Sequence, residues 1–393
     1  MADGQLSTAQ RLTNNRLEHG SGSLPNCLAW LSQHALPEPG AEAWKYSPIN
    51  RFYETLLDTT QATALAGTRI EGLGKQQHST VEVQHYQRGD NANLELPQEL
   101  TERFTRAIDA SRYPIAHAVG SDLHEVIVIQ VSAPLTEALV LNQPAQGNRW
   151  VHIELLANTE ATVIERLADA SGGSMTTIEL GAGAKLTHAC SHQTTTQTSW
   201  RLNSINLADH ASYELNQISL GGRLQRIDNH IRLSGAGAHA SLVGCALCDG
   251  DNRADLQNVI EHIAAQCSSQ QRYHGVVNQS GNLTFGGRIH IHEKAQGTSA
   301  HLTNKNMTLD NRAQINTKPE LEIYNDDVSC SHGATIGRLD EEALFYLRSR
   351  GIDEHSAQSL LLAAFVKDAI GGPDADSMQE IIAEKLTLWT TAT

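Results

Sequence analysis

Aromatic side chains are scarce in this chain. Phe, Trp and Tyr together make up 5% of 393 residues, while glycine occurs 30 times. That balance argues against a helical bundle and for many short strands joined by tight turns. Basic charge is also in deficit, with 29 Lys and Arg against 44 Asp and Glu and a formal net charge of −15. No basic stripe is visible, so nucleic acid is not an expected partner. Long apolar runs are missing: the longest, Leu360 to Val366, falls far short of the ~20 residues of a membrane-spanning helix. Six cysteines lie far apart. They read as free thiols in a reducing compartment, not as a disulfide framework. The opening Met1-Ala2-Asp3-Gly4-Gln5 lacks the basic and apolar regions of a signal peptide, and a cytoplasmic location is expected. No Ser–His–Asp arrangement, phosphate-binding loop or dinucleotide fingerprint is present. The Gly221-Gly222 and Gly286-Gly287 pairs lack the Lys-Ser/Thr context of a phosphate loop and read as turns. No catalytic residue is expected, and the chain reads as a non-enzyme.

Strand patterns fill the middle. Val126–Val131, Trp150–Leu155, Ala161–Glu165, Lys185–His188 and Ser212–Leu215 are strand-like, and Ser171-Gly172-Gly173, Gly181-Ala182-Gly183 and Gly235-Ala236-Gly237 punctuate them. Short strands at this spacing suit a sandwich, a barrel or a stacked β-helix. The stretch from about 80 to 335 is too long for one sandwich of ~100 residues, which favours the solenoid. Residues 5 to about 35 read as helical, ending at Pro37-Glu38-Pro39-Gly40. Trp44-Lys45-Tyr46-Ser47-Pro48 reads as a surface turn packed by two aromatics. After the core, helices are expected at 340–350, from Asp353 to a stop at Gly371-Gly372-Pro373, and from a Ser377-x-x-Glu380 capping box. Three regions result: an N-terminal helical region (1–78), a β core (79–338) and a C-terminal helical domain (339–393).

The most informative stretch runs from Thr317 to Gly351. A strand with period-two alternation follows Pro319, and Asn325-Asp326-Asp327 forms a turn. Val328, Cys330 and His332 then fall at i, i+2 and i+4. In an extended segment all three share a face, which sets a thiol beside an imidazole, two ligands suited to iron and other soft metals. Asp340 as N-cap, Glu341 and Glu342 in the first turn, and Gly351 as terminator mark a helix directly afterwards.

The Thr-Lys-Pro-Glu-Leu-Glu-Ile-Tyr run from Thr317, the Asp-Asp-Val-x-Cys-Ser-His-Gly-Ala-Thr run from Asp326 and the Leu-Phe-Tyr-Leu-x-Ser-Arg-Gly-Ile run from Leu344 closely resemble the C-terminal signature of the SufB/SufD family of iron–sulfur cluster assembly proteins. Within it the chain resembles the SufD branch. The Tyr-Pro-x-x-x-x-x-Asn and Gly-His-Glu-Ala runs of the SufB branch are absent. Trp44 to Pro48, Ser219 to Asp228, Tyr273 to Val277 and Ala295 to Asn306 resemble the family as well, so the likeness covers roughly 44 to 370.

The resemblance implies a mainly β fold: a right-handed parallel β-helix core flanked by N-terminal and C-terminal α-helical regions. It implies a scaffold subunit of a SufBCD-like complex that takes part in iron acquisition and nascent cluster formation. The implied partners are a SufB-like paralogue, forming a heterodimer through the β-helix, and a SufC-like ABC ATPase bound by the C-terminal helices. The resemblance is compatible with a homodimer of the isolated protein and leaves its oligomeric state open. By the same resemblance Cys330 and His332 lie near the paralogue interface and hold iron or a transient cluster there, with the remaining ligands supplied by the partner. No tightly bound cofactor is expected of the chain alone. Phe345, Leu361 and Phe365 are the expected ATPase-binding residues, and deletion of 340–393 is expected to leave the β-helix folded. Two rival readings are a SufB-like homodimeric scaffold and a β-helical carbohydrate-active enzyme. The second requires Asp, Lys and Arg clustered on one strand face, and no such cluster is visible in the sequence. Cys245-x-x-Cys248 has metal-like spacing but no second pair, and in a regular strand its thiols face opposite ways. His290 and His292 share a face and read as the solvated side of a strand. Cys27, Cys190 and Cys267 carry no readable context.

Overall fold

The structure, a computed structural model, describes residues 6–19, 24–59, 67–72, 80–88, 94–144, 146–168, 171–193 and 197–391. The expected helical position Gln5 and the expected boundary at 78/79 lie outside them. The chain opens with α1 (Thr8–His19), α2 (Pro25–Leu31) and α3 (Ile49–Thr59), followed by β1 (Arg69–Glu71) and β2 (Val81–Gln87). Two further helices, α4 (Gln98–Ala107) and α5 (Pro114–Gly120), precede the first solenoid strand, β3 (Glu125–Val131).

From there strands alternate between two sheets. One holds β4 (Leu139–Gln143), β6 (Glu160–Leu167), β8 (Lys185–His192), β10 (Ser212–Ser219), β12 (His239–Cys248), β14 (Ser268–Val277), β16 (Thr298–Thr308) and β18 (Val328–Gly337), with β1 at its far edge. The other holds β3, β5 (Arg149–Leu155), β7 (Gly172–Leu180), β9 (Thr198–Leu207), β11 (Leu224–Leu233), β13 (Arg253–His262), β15 (Asn282–Ile291) and β17 (Gln314–Ile323), with β2 at its far edge. β1 and β2 pair antiparallel and the rest are parallel. The result is the expected parallel β-solenoid, of about 8 turns. Ser212 pairs with His239, His239 with Ser268 and Ser299 with Ser268, so one coil consumes about thirty residues.

Side-chain size and corner geometry explain why this sequence stacks. Val163, Ile178, Leu215, Leu242 and Ile260 fill the lumen as one continuous apolar core. Where polar residues enter it they pair along the stack. Asn203 donates to Asn229 at 2.7 Å, and Asn229 donates to Asn258 at 2.8 Å. In-register stacking gives these buried asparagine amides partners on the coil next to them. At one corner, successive coils place Asn158, Gly183, His210, Gly237, Gln266 and Gly297 in the left-handed region. Each donates its N–H to a carbonyl of the next coil. A Cβ at Gly237 would sit 2.5 Å from the His210 ring. Glycine is favoured there by the left-handed conformation and by the closeness of that ring.

Helices cover both outer faces. Leu12, Phe52, Phe104 and Val119 of the N-terminal helices pack with Trp150, Met175, Trp200 and Leu202 of the β3–β17 sheet. Trp44-Lys45-Tyr46-Ser47-Pro48 is more than a surface turn. Trp44 is buried and stacks under the Arg226 guanidinium at 3.9 Å, and Ser47 donates to Asp255 at 2.5 Å, while Tyr46 is exposed. At the other end come α6 (Glu341–Ser349), α7 (Glu354–Lys367) and α8 (Ala375–Thr391). Leu362, Val366, Met378, Ile382 and Leu386 form one cluster with Ile164, Ile218, Leu247 and Val276 of the β4–β18 sheet. α7 and α8 thus share a core with the solenoid's outer sheet face. Removing 340–393 would uncover that apolar sheet face, contrary to the expectation of a self-sufficient β-helix.

Two helix boundaries differ from the sequence reading. α7 ends at Lys367, before Gly371. α8 starts at Ala375, and Met378 N–H bonds Asp374 O at 2.9 Å. Ser377 therefore sits inside the first turn and is not the cap. Among the described residues no helix is long and apolar enough to cross a membrane.

Candidate functional site at the open end of the solenoid

The stack ends without a lid among the described residues. β17 and β18 are the last strands of their sheets, each with one paired neighbour, so their outer edges carry unpaired backbone groups. The sequence of β18 continues the lumen pattern into this coil. Thr298, Ala300 and Leu302 of β16 are buried, and Val328, Cys330 and His332 pair with them in register. Directly paired residues of parallel strands face the same way, so Cys330 and His332 stand together over the end of the lumen. The spacing predicted that shared face, and the extended strand places them on it. Cys330 is half-buried and packs on the lumen core, whereas His332 is exposed. Burial raises the Cys330 thiol, with a smaller opposing effect from the Ala300 backbone hydrogen bond. A metal would have to displace that proton. Among the described residues no third His, Cys, Asp or Glu is close enough to complete a ligand set with the pair. Exposed apolar residues surround this end: Ile323, Tyr324 and Ile336.

The turn after β18 delivers α6. Asp340 caps it, accepting from the N–H groups of Glu342 and Ala343, and Gly351 ends it with φ +88°. No residue of α6 is buried. Phe345 is 73% exposed and Tyr346 56%, so the helix presents aromatics with no cover. Leu361 is half-buried. Phe365 is committed to the solenoid: its ring stacks on His274 at 4.8 Å, and its carbonyl accepts from His274 Nδ1 at 2.7 Å. The three residues expected on one docking face are therefore in three environments.

The remaining sequence candidates separate clearly. Cys245 packs beneath the C-terminal helices and Cys248 faces the lumen, the opposite-face arrangement the strand period predicts. Burial pushes both thiols up to about 12, and because they face opposite sides of the sheet they cannot hold one ion together. His290 and His292 stack ring on ring at 4.2 Å. They are half-buried beside Glu322 and Glu261 at 3.5 and 3.6 Å, where a solvated strand face was expected. Cys27 and Cys267 are buried.

One arrangement escaped the sequence. Arg226, Asp228, Asp255, Arg288, Lys318 and Glu320, from four strands of one sheet, line a cleft of about 660 Å³ beside residues 42–46. Clustered acids and bases on a β-helix face are what the carbohydrate-enzyme reading requires, yet the two buried acids are already consumed. Asp228 accepts from Trp200 Nε1 at 2.8 Å and from Arg226. Asp255 accepts from Ser47, Arg226 and Gln257. This cluster fastens the Trp44 segment to the sheet. A period of about thirty residues hides such neighbours from any short-range pattern.

Residues 140–365 match the family described as SUF system FeS cluster assembly, SufBD core domain. That is more than half of the chain. The chain belongs to the SufBD family. It is 34% identical over 223 residues to the iron-sulfur cluster assembly protein SufD of Escherichia coli, covering 55% of this chain and 53% of that one. A SufBD family protein of Mycobacterium tuberculosis, Rv1462, is 24% identical over 354 residues, covering 85% and 84%. The iron-sulfur cluster assembly protein SufB of Bacillus subtilis is 29% identical over 180 residues, covering 44% and 39%. The match spans about half the length of the E. coli SufD relative. SUF-type iron–sulfur cluster assembly is thus what the matching family is described by.

Proposed function

We propose that this SufBD protein is a non-catalytic scaffold subunit of a SufBCD-type complex, joined to a SufB-like paralogue at the open end of its solenoid. The observation that carries the reading is the placement of Cys330 and His332 together on the last, unpaired coil. Two ligands cannot hold an iron–sulfur cluster, whose irons take thiolate and occasionally imidazole ligands. A partner docked on the β17–β18 end would bring the missing ligands and would cover Ile323, Tyr324 and Ile336. The cluster is then cargo shared across an interface. Iron or a transient cluster resides there only in the complex, and the isolated chain holds neither of them tightly at this end. Without a better partner the same end could pair with a second copy.

The second contact in this reading is a SufC-like ABC ATPase on the C-terminal helices. Exposed Phe345 and Tyr346 on α6 support it, with half-buried Leu361 on α7 and with Phe365 acting from beneath through its packing on His274. Because α6 leaves the solenoid directly from β18, force applied to the helices would reach the coil that carries Cys330 and His332. The complex is expected in the cytoplasm. Co-expression with SufB-like and SufC-like proteins, followed by purification through a tag on this chain, tests the reading. Recovery of both partners at equal stoichiometry is expected. Recovery of neither, with a lone homodimer in their place, would overturn it in favour of a homodimeric scaffold.

A further inference from the structure

A second donor cluster lies deep in the lumen, far along the stack from Cys330 and His332. Glu165 on β6 pairs in register with Cys190 on β8, and His188 precedes Cys190 by two residues on the same face. All three side chains are fully buried. One carboxylate oxygen, one imidazole nitrogen and the thiol sulfur lie within 4.8 Å of one another. Among the described residues no other three such side chains come together this way.

An internal ion pair accounts for only part of this. Arg201 and Gln143 bind Glu165 Oε2, and Thr176 donates to Oε1 at 3.0 Å. His188 Nε2, however, is buried without a hydrogen-bond partner. It points at Glu165 Oε1 from 3.7 Å, too far for a hydrogen bond. Two N and O ligands on one tetrahedral zinc ion stand roughly 3.4 Å apart, within a few tenths of that gap. The other imidazole nitrogen, Nδ1, is held by the Tyr213 hydroxyl at 2.9 Å, the outer hydrogen bond that orients a ligating histidine. His192 Nε2 lies 3.2 Å from Cys190 Sγ, close enough to donate to a thiolate in the tautomer that carries its proton on Nε2.

The geometry points to a buried binding site for a divalent cation of the zinc class, with Glu165 Oε1, His188 Nε2 and Cys190 Sγ as its protein ligands. Mixed sulfur, nitrogen and oxygen donors suit a borderline-soft ion and exclude magnesium and calcium. Because the site is sealed by both sheets, the ion enters as the coils close and serves the fold. The inference stands apart from the proposed scaffold role, since it uses none of the residues at the open end.

The test uses the full chain carrying Cys330→Ser, so that the donor pair at the open end is broken. The protein is unfolded and refolded anaerobically with Co(II), then freed of excess metal. One cobalt per chain is expected, with a near-ultraviolet thiolate-to-cobalt charge-transfer band. Cys190→Ser, close in size, should lose that band, and His188→Gln should lower retained cobalt at least tenfold. The same chain refolded with Zn(II) should melt higher than metal-free protein, and this rise should vanish in His188→Gln. A band that persists in Cys190→Ser overturns the site. So does cobalt retention no greater than that of His188→Gln, even if Cys190→Ser fails to fold.

Discussion

Trp389 donates its indole N–H to Asp249 at 2.6 Å, and Lys385 donates to the other oxygen of the same carboxylate at 2.9 Å. One acid at the end of β12 thereby pins the last helix to the solenoid. Asp249→Ala should strand both donors at a half-buried site and cost about 1–3 kcal/mol, read as a lower urea midpoint. An unchanged midpoint would show that the apolar contacts of α8 suffice alone.

At the open end, chemistry and folding should separate. Cys330→Ala removes one sulfur from a half-buried position and should destabilise by about 1 kcal/mol. His332→Ala touches an exposed side chain and should leave the melting curve in place. Both substitutions are expected to lower the cluster content of the reconstituted complex, because a lost ligand has no replacement nearby. Iron and sulfide reconstitution beside a melting curve checks this. Normal cluster content in His332→Ala would remove that residue from the site.

On α6, Phe345→Asp should abolish capture of a SufC-like ATPase and leave stability unchanged, since Phe345 makes no buried contact. Phe365→Ala should instead lower stability as well as capture, because its ring stacks on His274. Parallel pull-downs and thermal unfolding distinguish the two. Equal capture by wild type and Phe345→Asp would move the docking face elsewhere.

Acid should weaken the fold in a defined window. Burial depresses His117, His124, His152 and His262 to about 4, desolvation being the largest cause for each. An unfolded histidine titrates near ~6.5. Between those values the unfolded chain binds more protons than the folded one, so stability is full above pH ~6.5 and falls as pH drops toward ~4. Melting temperatures across that range should decline with falling pH, and His262→Gln should flatten the slope. A flat profile in wild type would refute the assignment.

Much of this was legible in the chain. Strand period, corner glycines and a span too long for a sandwich pointed to the solenoid, and the spacing of Val328, Cys330 and His332 set two donors on one face. Those are local properties, fixed by alternation along one strand and by the conformational demands of residues such as Gly237. Stacking decided the rest. Only the coil-to-coil register brings Glu165 to Cys190 and Arg226 to Asp255, because residues about thirty apart in sequence become nearest neighbours. Only docking shows that Phe365 and Trp389 share a core with the solenoid's outer sheet face while Phe345 does not. A hydrophobic pattern marks a face as apolar, but the partner that buries it is set by packing across the whole stack.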